Sequence, residues 1–462
     1  MSGVLLPGFA GTDLPDWLAR RLRDGLAGVC LFGENIESPA QLRRLTDAIR
    51  AANPHALIAI DEEGGDVTRL HHLTGSPYPG NALLGRIDDL ALTARVGATV
   101  ARELRSAGVN LNFAPDADIN SNPANPVIGV RSFGTDPDLV SAHVAAWVAA
   151  HEAGGVAVSA KHFPGHGDTA QDSHLALPVV DLPVEALRAR ELRPFVAAIE
   201  AGARTLMSSH VLLPQLDATR PATFSSTILQ GLLRDELGFE GVIVSDALDM
   251  VGASGEIGIP AAAVRAIAAG CDLLCIGTRN TDEQLGQIQA ALDAAVADGT
   301  LPQARLDDAV ARTRALAAGL PGPLDEPVVP GRFDIDRAIA AFRIDPDVVV
   351  EPGAAILTLE TVANIAVGAS PWGPLAAGAE TTPVFEGDPV DVRGRPVVIV
   401  GKDNHRREWT RAVIDRAREQ NPSVLVVDMG WPSPDYFYAD IATFGASEFA
   451  GRALLTLLGD ES

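Results

Sequence analysis

The sequence predicts an α/β fold in which a (β/α)8 TIM-type barrel is followed by a smaller α/β sandwich domain. Three observations predict it. Eight short apolar runs rich in β-branched residues alternate with Ala/Leu-rich amphipathic stretches, the strand-helix-strand order of a parallel sheet. Polar residues follow strand after strand at one edge, Asp61, Asp116, Lys161, His210 and Asp246, where barrel enzymes carry their site loops. A Pro/Gly-dotted stretch then precedes a segment with a clear βαβ crossover. An open doubly wound sheet would have similar strands, and the convergent polar edge favours the closed barrel.

The expected barrel strands are residues 4–6, 28–32, 56–60, 109–113, 156–160, 205–208, 242–245 and 272–276. Residues 91–107 and 183–201 read as amphipathic helices between them. The helix 306–320 ends at Pro321-Gly322-Pro323, so the barrel is assigned to 1–320, a linker to 321–331 and the sandwich to 332–462. Within the sandwich the expected strands are 355–359, 396–400 and 424–427, with a helix at 407–420 and a loop at 368–387. Gly401 follows a strand without the spacing of a dinucleotide fingerprint.

A chain of 462 residues exceeds what one core usually organises. Aromatics make up only 5% against 47% hydrophobics, which suits an Ala/Val/Leu-rich α/β protein. A formal charge of −24 argues against nucleic-acid and anionic-membrane partners. Cys30, Cys271 and Cys275 are too few for a disulfide framework, and residues 1–10 contain neither a basic n-region nor a long apolar run. A cytoplasmic protein is expected.

Residues 161–174, K-H-F-P-G-H-G-D-T-A-Q-D-S-H, crowd one lysine, three histidines and two aspartates into a single loop. Titratable groups are rarely buried unpaired, and two glycines with a proline exclude a regular helix. Asp172 and His174 are one residue apart, so the carboxylate can hold the imidazole as a proton shuttle, or simply staple the loop. Zinc ligation by His162, His166, Asp168, Asp172 and His174 is disfavoured because no helical i,i+4 pair or H-E-x-x-H pattern occurs. No metal is expected.

Asp246, in S-D-A-L-D-M, follows an apolar strand and is either held at the barrel mouth or caps a helix. Asp61 closes another strand, with Arg69 beyond it; Glu62 and Glu63 read as a solvated acidic turn. Arg131, one cation among apolar and turn residues, suggests a ligand clamp, although a buried pair with Asp118 or Asp136 would look the same. Trp431 to Tyr436 and His405 to Arg407 are either ordinary loop and cap residues or part of a substrate site.

These segments resemble glycoside hydrolase family 3, specifically its β-N-acetylglucosaminidase (NagZ-type) branch. The 161–174 string fits K-H-F-P-G-H-G-x4-D-S-H, Ser245 to Met250 fits the nucleophile segment, and 61–69 and 125–134 fit sugar-binding segments. The resemblance covers the barrel and, more loosely, the two-domain arrangement. Asp66 departs from a frequent arginine and Ala247 from a frequent aspartate.

The resemblance implies a retaining, exo-acting β-N-acetylglucosaminidase without a cofactor. Asp246 would be the nucleophile, His174 the general acid/base and Asp172 the residue orienting it. Asp61, Arg69, Arg131, Lys161 and His162 would bind the terminal sugar of a small N-acetylglucosaminide, a peptidoglycan fragment or chitooligosaccharide. A phosphorylase using phosphate as acceptor, a β-glucosidase or bifunctional glycosidase, and a non-enzymatic sugar-binding protein are the alternatives.

Overall fold

The computed structural model describes residues 2–172, 177–351, 353–363 and 365–459, so His174 lies outside the described residues. Two compact units emerge. The first comprises Met1–Glu62, Leu90–Pro126 and Thr135–Pro330; the second comprises Glu63–Asp89, Val127–Gly134 and Gly331–Ser462. The break at Pro330/Gly331 falls inside the expected linker, but the second unit also takes two excursions from the barrel sequence. Apolar packing explains this, since Ala82 and Val130 share a cluster with Ala439, Ala442, Phe444 and Trp431.

In the first unit, strands β1 (Leu5–Pro7), β2 (Gly28–Leu31), β3 (Leu57–Ile60), β4 (Leu111–Asn112), β5 (Ala157–Phe163), β6 (Thr205–Ser208), β7 (Val242–Ser245) and β8 (Leu273–Gly277) form one sheet. Its order is β1-β8-β7-β6-β5-β4-β3-β2, every pairing is parallel, and β2 lies beside β1, giving a nearly closed barrel. Every strand residue is buried. Burial on both faces is why the strands read as continuous apolar runs rather than alternating ones.

β4 is shorter than its apolar run because asparagine side chains replace ladder bonds. Asn110 Oδ1 accepts from Ile58 N at 2.7 Å, and Asn112 Oδ1 accepts from Glu62 N at 2.9 Å. β5 runs three residues past its expected end at 160, through Lys161 and His162, because both polar side chains find buried partners. The expected helix 183–201 is two helices, Val184–Ala189 and Arg193–Glu200, interrupted at Arg190 and Glu191. Pro194 occupies the first turn of the second, where a missing N–H costs nothing.

Between strands, helices Leu90–Ser106 and Pro137–Ala153 pack closely, with Trp147 buried against Gly97. Asp136 caps the latter by accepting from Asp138 N and Leu139 N, each at 2.9 Å. It is therefore a capping residue rather than the partner of Arg131.

The second unit contains a six-stranded sheet: β9 (Arg343–Ile344), β10 (Ala355–Leu359), β11 (Thr382–Val384), β12 (Val397–Gly401), β13 (Leu425–Asp428) and β14 (Ile441–Ala442). The order is β11-β10-β12-β13-β14-β9, parallel except for β9. The central strands and the helix Glu408–Gln420 match the sequence reading. The edge strands were missed because two or three residues carry too little periodicity, and the expected loop 368–387 contains the helix Gly373–Ala376 and β11. Trp431 N bonds Asp403 Oδ1 and Arg407 Nη2 bonds the Val362 carbonyl, both contacts internal to this unit.

Candidate active site

The carboxyl-terminal ends of β3, β5 and β7 supply the acidic and basic groups of the first unit. Asp61 follows β3, and its Oδ1 accepts a 2.7 Å bond from Lys161 Nζ on β5. The lysine side chain is 3% exposed and the aspartate 18%. At the next residue of the strand, His162 Nδ1 meets Asp118 Oδ2 at 2.7 Å. Asp118 also accepts from the backbone N–H of His162 at 3.2 Å and of His166 at 2.7 Å. Burial alone would raise the Asp118 carboxyl, but the charge and hydrogen bonds of His162, with those of His166, outweigh it and hold the group below the ordinary range.

His166 is buried, and that burial, with His162 beside it, pushes its pKa down to about 4 against the fields of Asp118 and Asp246. Its ring Nδ1 lies 3.0 Å from Thr169 Oγ1. Asn125 donates to the carbonyls of His166 and Gly167 at 2.8 and 2.9 Å, pinning the loop from the opposite side. Gly167 is required by space, since a Cβ there would fall 1.6 Å from the Ile119 carbonyl oxygen.

Asp246 follows β7 and is half-buried; its Oδ1 accepts from Ala247 N at 2.7 Å. It caps no helix, because the next one, Val251–Ser254, has Met250 at its N-cap. His210, buried at the end of β6, approaches the Ala247 carbonyl through Nε2 at 3.0 Å and Thr223 Oγ1 through Nδ1 at 3.0 Å. This steadies the residue following the expected nucleophile. Asp246 and Asp61 both lie close enough to Cys275 that their charges add to the effects of Cys30 and burial in pushing its thiol up. The two carboxylates thus converge above the same barrel floor.

Asp172 is among the described residues, whereas His174 lies outside them. Arg69 and Arg131 belong to the second unit. Arg131 is 5% exposed and makes a bidentate pair with Glu63, Nε to Oε2 at 3.0 Å and Nη2 to Oε1 at 2.8 Å. Glu63 is thus a partner of Arg131 that the sequence reading did not name for it. Glu62 and Glu63 are buried, which overturns the solvated-turn reading: one feeds the β3–β4 register and the other the arginine. Arg69 donates to the carbonyls of Ala366 and Val367 at 2.8 and 3.1 Å. Asp66 accepts from Ala446 N at 2.8 Å, so the residue that departs from the family's arginine ties two segments of this unit together.

Asp116, Asp118 and His162 bring potential ligand atoms within 4.8 Å of one another. Asp118 spends its oxygens on His162 and His166, and Asp116 Oδ1 accepts from Asp118 N, so the group serves as a hydrogen-bonded scaffold. Sequence reading named Asp116 and Asp118 without joining them to His162, and named Glu63 without joining it to Arg131; the D-A-D spacing at 116–118, directly after an apolar strand, was the available signal for the first.

The model of the glycosyl hydrolase family 3 N-terminal domain matches residues 15–316. The chain belongs to glycosyl hydrolase family 3. A β-hexosaminidase A from Pseudoalteromonas piscicida is 38% identical over 339 residues, covering 68% of this chain and 56% of that protein. The structure of a family 3 β-N-acetylglucosaminidase from Paenibacillus sp. str. FPU-7 superposes with a TM-score of 0.86 at 30% identity, covering 100% of this chain and 96% of that one. NagZ from Neisseria gonorrhoeae, solved with N-trifluoroacetyl-D-glucosamine, gives a TM-score of 0.55 at 33% identity over 68% of this chain and 98% of that one. The family 3 barrel and α/β sandwich expected from sequence are thereby established, and the chain is a glycoside hydrolase. Among the described residues no helix is long and apolar enough to cross a membrane.

Proposed function

We propose that this family 3 enzyme is a retaining, exo-acting β-N-acetylglucosaminidase that removes terminal non-reducing β-linked N-acetylglucosamine from a small carbohydrate. The names of its relatives support an N-acylated hexosamine. A peptidoglycan fragment or chitooligosaccharide is the substrate class we assign, and the buried, unpaired-by-disulfide cysteines fit the cytoplasm.

Asp246 carries this reading. It is a half-buried carboxylate directly after barrel strand β7, in a motif that fits the family nucleophile. In the first step its carboxylate attacks the anomeric carbon, the glycosidic C–O bond breaks, and the departing oxygen takes a proton from His174. In the second, His174 removes a proton from water, whose oxygen displaces Asp246 from the sugar. Asp172 orients the imidazole, while Asp61, Lys161 and His162 hold sugar hydroxyls. Arg69 and Arg131 complete the assignment as sugar-binding residues. No cofactor enters either step.

The test is trapping with a 5-fluoro N-acetylglucosaminyl fluoride, which slows the second step, followed by mass spectrometry of peptides. An adduct on the peptide containing Asp246, absent in Asp246→Ala, is the expected result; an adduct elsewhere or none would overturn the nucleophile. Running turnover with phosphate and analysing the sugar product separates free N-acetylglucosamine, the expected product, from a 1-phosphate, which would make the enzyme a phosphorylase.

A further inference from the structure

Glu191 stands between the helices Val184–Ala189 and Arg193–Glu200 and is 1% exposed. A carboxyl so enclosed is uncommon unless fully paired, and its pairing is lopsided. Oε1 accepts from Ser121 Oγ at 3.1 Å and from Arg190 Nε at 2.5 Å. Oε2 is buried with no hydrogen-bond partner among the described residues. The side chain lies directly on the active-site loop: a Cβ built on Gly165, at φ 127°, would sit 2.8 Å from Glu191 Cβ and 3.1 Å from its Oε2.

Arg190 extends the connection. While Nε bonds Glu191, Nη2 bonds Asp168 Oδ2 at 2.6 Å, so one planar guanidinium bridges a buried carboxyl and the loop that leads to Asp172. Asp168 falls in the variable x4 part of the family string, and neither Arg190 nor Glu191 belongs to any segment that carried the resemblance.

We propose that Glu191, acting through Arg190 and Asp168, is a positioning residue for the Asp172 carboxylate. The inference rests on reading Asp172 as the group that orients the acid/base. With Glu191 ionised, the guanidinium is fixed between two carboxylates and Asp168 is held. With Glu191 neutral, its ion pair is reduced to an ordinary hydrogen bond and Arg190 keeps a charged partner only in Asp168, so the guanidinium and Asp168 lose their buried anchor. The groups facing Glu191 are Arg190 from its own segment, Ser121 and the charge of Asp118 from the segment after β4, and Gly165 from the loop after β5; His162 and His166 face Asp118 in turn. Burial, opposed by Arg190, pushes the Glu191 carboxyl up to about 7, so both forms are present near neutrality.

The experiment is the pH dependence of kcat and KM, from pH 5.5 to 8.5, with a β-linked N-acetylglucosamine disaccharide, whose poor leaving group needs the acid. Wild type, Glu191→Gln, Arg190→Met and Asp172→Asn are compared. Wild-type kcat is expected to rise with an acid limb near pH 7. Glu191→Gln should lose that limb and run at least about tenfold below wild type at pH 8 with KM within twofold, and Arg190→Met should do the same. Arg190 is partly exposed, so its variant tests the proposal even if Glu191→Gln does not fold. An unchanged acid limb in either folded variant, or a loss confined to KM, overturns the positioning role. Wild-type kcat in Asp172→Asn would instead overturn the reading of Asp172 on which the proposal rests, whereas an impaired Asp172→Asn beside an unchanged Glu191→Gln removes the proposal alone.

Discussion

The Nζ atom of Lys161 lies 2.7 Å from Oδ1 of Asp61, joining the ends of two non-adjacent barrel strands, β5 and β3. The lysine is almost fully buried while the aspartate keeps 18% exposure, so the pair presents one desolvated cation and one carboxylate edge to incoming hydroxyls. Lys161→Met should leave the Asp61 carboxylate partly buried without its counter-charge. The expected cost is roughly 2 kcal/mol in stability, less than the ~3–5 kcal/mol of a fully enclosed pair. Loss of a charge-assisted bond to the sugar should lower kcat/KM by at least about tenfold. Urea unfolding and steady-state kinetics measure the two separately, and an unchanged kcat/KM would remove Lys161 from the sugar-binding set.

Asp246→Ala should behave differently, because Asp246 is only half-buried at the end of β7 and is not the N-cap of the helix that follows. Stability should change by less than about 1 kcal/mol, while kcat falls on the order of 10⁴-fold or more. Azide added to the variant should accumulate the α-glycosyl azide, since the small anion attacks from the face the carboxylate vacated. Product anomer by NMR checks it; a β-azide would place the missing group on the other face.

The barrel was legible because strands buried on both faces cannot hide their apolar runs, and because Asp61, Lys161 and Asp246 each follow such a run. What escaped was pairing across distance. Nothing local to Glu63 announces Arg131, 68 residues away in the chain, and an E-E-G-G turn reads as solvated until the partner is found. The same blindness ended β5 too early: Lys161 and His162 look like loop residues until Asp61 and Asp118 are seen to neutralise them. Likewise the break at Arg190 and Glu191 was read as helix, since both residues favour helices and only their long-range partners, Asp168 and Ser121, mark the interruption.

Arg131 and Glu63 give a prediction that separates stability from binding. Their side chains are 4% and 3% exposed, so Arg131→Met strands a carboxylate in a nearly dry environment. The expected loss is about 3–5 kcal/mol, whereas the double change Arg131→Met with Glu63→Leu should recover much of it. Denaturant unfolding of the four proteins closes the cycle. Additive losses would mean that the two groups do not act as a pair, leaving Arg131 as a ligand clamp alone.

Gly167→Ala tests the close approach that shapes the active-site loop. The added carbon would meet the Ile119 carbonyl at 1.6 Å, a backbone atom that cannot rotate away, so the loop or the segment after β4 must move. A loss of roughly 2–4 kcal/mol is expected, with kcat falling further than stability because the Asn125 bonds to His166 and Gly167 are drawn off register. Thermal unfolding beside kcat at a temperature where the variant is fully folded measures both; wild-type kcat would show that the loop tolerates displacement.

The buried histidines set the acid side of stability. His166 has its pKa pushed down to about 4, by burial first and then by His162, and His151, stacked on Trp147 with Nδ1 bonded to the Gly97 carbonyl, is pushed down to about 3 by burial. Each therefore binds its proton more weakly folded than unfolded. Their contribution is complete above the ordinary value of 6.5 and is lost as pH falls from 6.5 towards 4, for His166 on the order of 3 kcal/mol. Glu191 opposes them: raised from 4.5 to about 7, it favours the fold most at low pH and loses that contribution as pH rises through the same window. Glu191→Gln removes the opposing carboxyl and leaves the two histidines, so the variant's unfolding free energy should fall more steeply than wild type's between pH 6.5 and 4.5. Histidine NMR titration, with both imidazoles neutral at pH 5, checks the premise; a His166 midpoint near 6.5 would mean that Asp118, not burial, governs the ring.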